Sequence, residues 1–522
     1  MRLTSFPARL RAGLAIACAL VLGLITSACI HVFNSIEVRE ITAGTEETDV
    51  KSPLKAHLRD GSTVVYPTGA VVTRTSIRGD GQRYTATLAE AGHVTTLALD
   101  SVVGVEAYET KTNAATTMLV STLATGAFVA GSALAAVAIF GSCPTYYSDS
   151  AGTAVLEGEG FSYSIAPLFE RRDVDRLHVG AGRDGELRVE VRNEALETHY
   201  LNHVELLEVT HASNEVVVPE ESGQALALRD LFAPATARDR AGRDVRATIA
   251  GADGMVFSTD SGTLARARVG DLDDYVDLTF PAAGAADSVA IFVRARNSLL
   301  NTVLLYDGIL SGARALDWVN HDLNRLSSAA ELGRWYVGHM GMRVLVKDGD
   351  GWRDVARIGD TGPIAFHDVA IIVPVVRTHD SVHVRIAFTA DNWRIDRIAV
   401  AGGYRRPPMR TISISSVMRD DGTPDAAVLA SLRAPDDAYL RTSPGQTFSI
   451  HFATGVSREP RTFFLASQGY YTEWIRGDWL KERGGGIPFV ASDDAVVDAL
   501  HRWRTKQHEF EGKFYSSRVP TQ

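Results

Sequence analysis

The sequence predicts a mainly β protein: a small N-terminal β-barrel-like domain, a hydrophobic helix, then β-sandwich domains with a helical insertion. Three observations carry this. Short runs alternate apolar and polar side chains, as in Glu186-Leu-Arg-Val-Glu-Val-Arg192, so each strand has one buried and one wet face. Turn pairs such as Asp60-Gly61, Gly79-Asp80-Gly81 and Asp348-Gly349 punctuate those runs. Charge vanishes over residues 112–148, where the chain changes from alternation to a continuous apolar stretch. At 522 residues, with 22% charged and 45% hydrophobic, the chain is long enough for about three or four domains, each with its own core.

The N-terminal segment comes first. Arg2, Arg9 and Arg11 stand before an apolar run, Ala12–Ile25, followed by Thr26-Ser27-Ala28-Cys29. A basic start, an apolar middle and small residues at the end make residues 1–28 a secretory signal. Small residues immediately before Cys29 resemble the lipobox of bacterial lipoproteins, with Thr26 in place of the usual aliphatic residue. That resemblance implies acylation of Cys29 and a membrane-anchored protein of the bacterial cell envelope, its bulk outside the cytoplasm. Residues 29–54 read as a tether.

Residues 55–110 read as the small β domain, built from Ala56–Leu58, Thr63–Tyr66, Val71–Thr73 and Tyr84–Thr87. The uncharged stretch then gives a helix over 112–141. Its core, Thr117–Phe140, would reach about 36 Å against a hydrocarbon thickness of about 30 Å. Small residues recur at four-residue spacing, Thr122, Gly126 and Ala130 on one face, Ala127, Gly131 and Ala135 on another, which lets helices approach closely. The helix either spans the bilayer or is shielded by protein or the membrane interface.

Residues 142–297 return to strands. Period-three and period-four apolar spacing over 298–341 predicts a helical insertion. Residues 342–403 alternate again and read as a sandwich, with Trp393 and Ile395 pointing inward. Residues 409–480 form a further β domain and read as a repeat of 226–296: Arg238-Asp-Arg-Ala-Gly-Arg-Asp-Val and Arg419-Asp-Asp-Gly-Thr-Pro-Asp both lead into aliphatic or aromatic strands. A last helix is expected over 492–510, capped by Ser492, with Asp493 and Asp494 in its first turn.

Charge and cysteine content narrow the function. The formal charge is −10, and loss of the three arginines in 1–28 takes it to −13; an acidic chain lacks the electrostatic footprint of a nucleic-acid binder. With Cys18 and Cys29 in or beside the leader, Cys143 is the one remaining thiol and reads as a buried small residue. No cysteine-rich metal site is available. Gly180-x-Gly-x-x-Gly185 leads into a strand rather than a helix, so it is a turn and not a dinucleotide fingerprint. His199 and His203, if on a strand, stand about 13 Å apart and cannot share an ion; His379 and His383 meet the same objection. Asp348–Asp354 lacks the ligands of a calcium loop. The sequence therefore points to no catalytic residue, metal or cofactor. Trp352, Trp393, Tyr470, Tyr471 and Trp474 concentrate in the C-terminal third and are the candidate binding residues, for a protein or a glycan.

Two stretches carry family resemblances. The uncharged helix with Gly141-Ser142-Cys143-Pro144-Thr-Tyr-Tyr-Ser148, then Arg171-Arg172-Asp173 and Asn193-Glu194 ahead of Glu197-Thr198, resembles a group of uncharacterised bacterial envelope proteins; the group implies no established activity. Asp391-Asn-Trp393-Arg-Ile395-Asp396-Arg-Ile398 is similar to the closing strand of galactose-binding-like jelly rolls, often binding modules. These features favour a non-catalytic envelope lipoprotein with a binding or structural role, in contact with lipid through Cys29 and the 117–140 helix. The alternative is an extracytoplasmic hydrolase-like enzyme whose site is assembled from dispersed residues. Convergence of carboxylates or histidine on one pocket would distinguish the enzyme from the module.

Overall fold

The computed structural model describes residues 34–36, 48–110, 143–305, 323–473 and 493–516, apart from short gaps within these ranges. Cys29, the 117–140 helix, residues 306–322 and Trp474 lie outside the described residues. Among those described, no helix is long and apolar enough to cross a membrane.

The protein is mainly β. Strands β1 (Asn34–Ile36), β2 (Thr48–Val50), β3 (Leu54–Leu58), β4 (Thr63–Tyr66), β5 (Ala70–Val72), β6 (Ser76–Tyr84), β7 (Glu90–Ala98) and β8 (Val102–Thr110) form one eight-stranded sheet. Its core includes Leu54, Ala56, Val64, Tyr66, Ile77 and Val102. Gly81 is required inside it: a Cβ there would come within 2.6 Å of the Tyr66 ring.

The remainder runs through twenty strands: β9 (Thr145–Ser150), β10 (Thr153–Glu159), β11 (Arg171–Leu177), β12 (Glu186–Arg192), β13 (Glu197–Thr210), β14 (Val216–Pro219), β15 (Ala225–Phe232), β16 (Thr236–Asp239), β17 (Asp273–Pro281), β18 (Ser288–Asn297), β19 (Met342–Asp348), β20 (Gly351–Ile358), β21 (His367–Pro374), β22 (Ser381–Thr389), β23 (Trp393–Arg405), β24 (Arg410–Ile412), β25 (Ser416–Arg419), β26 (Leu440–Thr442), β27 (Thr447–Ala453) and β28 (Arg461–Glu473). Sheet I has the order β10-β9-β12-β27-β25, and sheet II β11-β28-β13-β24, with β26 also on β13. Sheet III is β14-β15-β23-β18-β21, and sheet IV β16-β17-β22-β19-β20. The described helices are α1 (Ser261–Arg266), α2 (Leu300–Val303), α3 (Leu326–His339), α4 (Ala426–Ser431) and α5 (Asp493–Ser516).

Alternation dictates how the sheets stack. Leu187, Val189 and Val191 from sheet I meet Val204, Leu206 and Leu465 from sheet II. Val276, Leu278, Val384 and Ile386 from sheet IV meet Ile291, Val293, Ile398 and Val400 from sheet III. Two sandwiches result, each with one apolar layer between its sheets. The β14–β15 hairpin lies between them. Val217, Ala225 and Ala227 face Leu207, Val209 and Phe464 of sheet II, and Val218, Leu226 and Leu228 face the small residues Ala290, Ala370 and Ala399 of sheet III. Helix α5 docks Val496, Leu500, Trp503 and Phe514 onto the first core beside α1 and α2.

The two sandwiches have one topology. Reading sheet II as β11-β28-β13-β24 gives the pattern of sheet III as β21-β18-β23-β15, and sheets I and IV match in the same way. Two successive units, β9–β18 and β19–β28, therefore repeat along the chain. Each sandwich takes the leading strands of one unit and the trailing strands of the other. Neither 142–297 nor 342–403 closes a sandwich alone, because the partners that cover their apolar faces belong to the other unit. Local geometry repeats as well. Asp239 N donates to Arg243 O (3.0 Å) and Val245 N to Ala237 O (3.0 Å), while Arg419 N donates to Thr423 O (2.9 Å) and Asp425 N to Val417 O (2.9 Å). Gly242 and Gly422 hold the positive φ of these two turns.

Candidate functional site: a cavity between the two sandwiches

The equivalent edge strands β11 and β21 meet at the joint between the sandwiches. Asp368 on β21 accepts hydrogen bonds from Arg176 on β11 (2.6 Å) and Arg294 on β18 (2.8 Å), and lies 3.3 Å from His178 Nε2. Burial alone would raise its carboxyl, but His178, Arg294 and Arg176 outweigh burial and hold it well below the usual range. This network is a clamp: its carboxylate is committed to two guanidiniums and an imidazole.

A cavity of about 420 Å³ opens next to the clamp. One wall is apolar, from Ile165, Phe169, the α3 residues Leu332 and Tyr336, and Met340 just after α3. The polar wall comes from four elements: Asp173 on β11, Glu221 in the β14–β15 turn, Asp360 after β20, and His367 on β21. Strand period brings the first of these in. Asp173, Asp175 and Leu177 fall on one face of β11, so two acids share the inward phase of an apolar residue. Asp173 Oδ2 accepts from Phe161 N (3.0 Å) and Oδ1 from Val174 N (2.9 Å). Behind it, Asp175 Oδ1 lies 3.0 Å from His367 Nδ1.

Glu159 completes the layer behind the wall. It is fully buried, and its Oε2 accepts from Ile364 N (2.7 Å) and Ala365 N (3.2 Å). Gly362, at φ +88°, passes so close that a Cβ would stand 2.7 Å from the Glu159 carboxyl carbon. Asp360 accepts from Asn301 Nδ2 (2.6 Å) and from Tyr336 Oη (3.0 Å). Glu221 accepts from Gly359 N (3.0 Å), which ties the hairpin turn across to the end of β20.

These surroundings move the acids toward neutrality. Desolvation pushes Asp173 up to about 7, with the charge of Asp175 adding to it. Desolvation likewise pushes Asp360 to about 7, against its hydrogen bonds from Tyr336 and Asn301. Glu159 also rises to about 7 through burial. Burial pulls His367 down, yet Asp175, Asp173 and Glu159 outweigh it and hold the imidazole at about 9. At neutral pH the wall thus presents a protonated histidine beside two carboxyls that gain and lose protons readily. That combination can move a proton to or from a bound molecule. Among the described residues, no group of three or more histidine, cysteine or acidic side chains could hold a metal ion.

The structure does not gather the aromatic residues singled out in the sequence. Trp393 is fully buried between sheets III and IV, and its indole donates to Met340 O (2.9 Å). Its phase on β23 forces this, because Trp393 and Ile395 share the face that covers sheet IV. Tyr470 stacks on Tyr200 at 4.6 Å in a buried tyrosine cluster, and Tyr471, also buried, donates to Ser162 O (2.9 Å). Neither forms a surface platform. Trp352 is half-buried on the outer face of sheet IV, with the Arg385 guanidinium 4.5 Å from its ring centroid. Cys143 is buried, and burial followed by Glu159, Glu197 and Glu473 pushes its thiol well up. Gly182–Gly185 is the turn entering β12, as its spacing requires.

Sequence reasoning passed over Glu159, Asp360, His367 and Glu221, and noted Asp173 only within Arg171-Arg172-Asp173. The signal open to it was the pair Asp173 and Asp175 in phase with Leu177.

No protein-family model matches the chain, and no curated protein is similar to it. Solved structures resemble it only weakly. An allantoicase structure is 11% identical, covering 51% of this chain and 93% of that one, with a TM-score of 0.18. An alpha-xylosidase from Xanthomonas citri is 10% identical over 82% of this chain and 38% of its own, at 0.15. A secreted serine protease from Vibrio cholerae is 7% identical over 70% and 77%, at 0.14. Scores this low carry no functional argument.

Proposed function

We propose that the cavity between the sandwiches is the active site of a hydrolase-like enzyme, acting by general acid–base chemistry on a small polar molecule. The supporting observation is the convergence of Asp173 with Asp360 and His367, from two distant parts of the chain, on one cavity. In this reading one carboxyl of the pair Asp173 and Asp360 delivers a proton to the leaving group while the other activates water. His367, held by Asp175, keeps the wall from accumulating negative charge. The apolar wall from α3 excludes bulk water and strengthens these interactions.

The test is a panel of chromogenic glycosides and esters assayed with the wild-type protein and with Asp173→Asn and Asp360→Asn. Each variant should keep its melting temperature within a few degrees and lose about 10²–10⁴-fold in kcat. Full activity in both variants overturns the assignment.

A non-catalytic binding pocket is the second reading. It is favoured by the hydrogen bonds that already fix Asp360 and Asp173 to their own backbone and side-chain neighbours. Ligand binding without turnover across the panel would support it.

As to location, the reading is of an exported protein held at the bacterial envelope by acylated Cys29, with the 117–140 segment shielded by lipid or protein. Support comes from the basic start, the apolar run and the small residues before Cys29. Mass spectrometry of the mature N-terminus tests it; an unmodified Cys29 or a retained Met1 would overturn it.

A further inference from the structure

Among the described residues, three arginines line the cavity: Arg171, Arg172 and Arg357. Two are committed. Arg172 pairs with Glu205 at 2.8 Å, and Arg357 donates to Val337 O and lies 3.6 Å from Asp354. No carboxylate pairs with Arg171 among the described residues; its guanidinium instead lies over the Tyr163 ring, 5.4 Å from the centroid. Stacking on an aromatic face fixes the plane of a guanidinium and leaves its edge donors free. Arg171 stands two residues before Asp173 on the same strand, so both side chains leave β11 on the same side. The topology makes β11 and β21 equivalent edge strands, and the cavity lies where they meet.

Resting on the acid–base reading above, we propose that the cavity is selective for a small hydroxyl-rich carboxylate of the sugar-acid class, with Arg171 holding the carboxylate. A guanidinium edge matches a carboxylate in a bidentate pair. Asp360, Tyr163 and Glu221 supply partners for hydroxyl groups, and the half-buried rings of Phe169 and Tyr336 suit the C–H face of a sugar ring. An acid that competes on the same face of β11 is Asp173. Its carboxyl is neutral for much of the population below about pH 7, so binding of a sugar acid should tighten as pH falls through that value.

The test uses matched pairs, glucuronate against glucose and galacturonate against galactose, at equal concentration, read by thermal shift and titration calorimetry on the full chain. At least one acid should raise the melting temperature, and its neutral partner should not. Arg171→Gln should weaken binding of that acid about ten- to a hundredfold. Because Arg171 is exposed, this variant should melt, ligand-free, with the wild type, and a lowered ligand-free melting temperature would shift the reading to Arg171→Lys, which keeps charge but loses the fork. Equal binding of acid and neutral partners, or no binding of either acid, overturns the selectivity. Hydrolysis that is lost in Asp173→Asn yet indifferent to Arg171→Gln would retain the active site while discarding this role for Arg171.

Discussion

At the residue scale, burial decides between a site and a core, and Trp393 shows how. An aromatic side chain in a jelly-roll-like strand is either a platform or filling, and the face it takes follows from strand phase. Trp393 shares its phase with Ile395 and lies at zero exposure, its indole nitrogen satisfied by Met340 O. Trp393→Ala should therefore destabilise the protein by about 3–5 kcal/mol, measured by chemical denaturation. An unchanged midpoint would refute the core placement. Its neighbours Arg394 and Asp396 point the other way and are also buried, each in an ion pair, with Asp391 and Arg294. An alternating pattern alone predicts a wet second face; Asp396 accepts from Gly254 N (3.2 Å), and α5, from far along the chain, reaches Arg394 and its partner Asp391. Trp503 of that helix donates to Asp391, and Glu511 lies 3.9 Å from Arg394.

At the element scale, the short helices α1 and α4 are capped in the same way, although only α4 directly follows one of the repeated turns. Asp260 Oδ1 accepts from Gly262 N and Thr263 N at the start of α1, and Asp425 Oδ1 accepts from Ala427 N and Val428 N at the start of α4. Each satisfies backbone donors that the first helical turn leaves open. Asp425→Ala should cost about 1 kcal/mol, and would also release Arg419, which Asp425 holds at 2.6 Å. A loss below about 0.3 kcal/mol in urea unfolding would show that water replaces the cap fully. Strands such as 186–192, 288–295 and 393–400 were legible in the sequence because their alternation is strong and local. Their partners were not. β11 pairs with β28 across some three hundred residues, and nothing in a window of ten residues encodes such a partner. The candidate site was illegible for the same reason: Asp173, Asp360 and His367 sit on different elements with no fixed spacing, and no local motif joins them.

At the scale of the whole molecule, the buried titratable groups set a pH response. Asp173, Glu159 and Asp360 rise to about 7, Asp274 to about 6 and His367 to about 9, each above its ordinary value. The folded state binds these protons more tightly than the unfolded chain, so their contribution is fully present below about pH 4. It is lost as pH rises through 6 and 7, and finally through 9. Asp368 and Glu157 shift the other way, because paired or hydrogen-bonded carboxylates favour ionisation, and their contribution disappears as pH falls below about 4. Stability should peak in mildly acidic solution and decline toward pH 9, measured as melting temperature across a buffer series. A maximum above pH 8 would contradict the cluster.

The exchange of strands between the two units also imposes an order on folding. The sandwich of sheets III and IV uses β14 to β23 and holds all its strands once the chain reaches Arg405. The sandwich of sheets I and II must wait for β28, and its two halves are separated in sequence by the whole of the other sandwich. Bringing Thr210 and Arg410 together across ~200 disordered residues would cost roughly 5 kcal/mol in loop closure. A folded inner sandwich removes most of that cost, since β13 leads into β14 and β23 leads out to β24 at the same joint. The inner sandwich is thus a template for the outer one, and the cavity between them can form only after both, which makes the site the last part of the molecule to assemble.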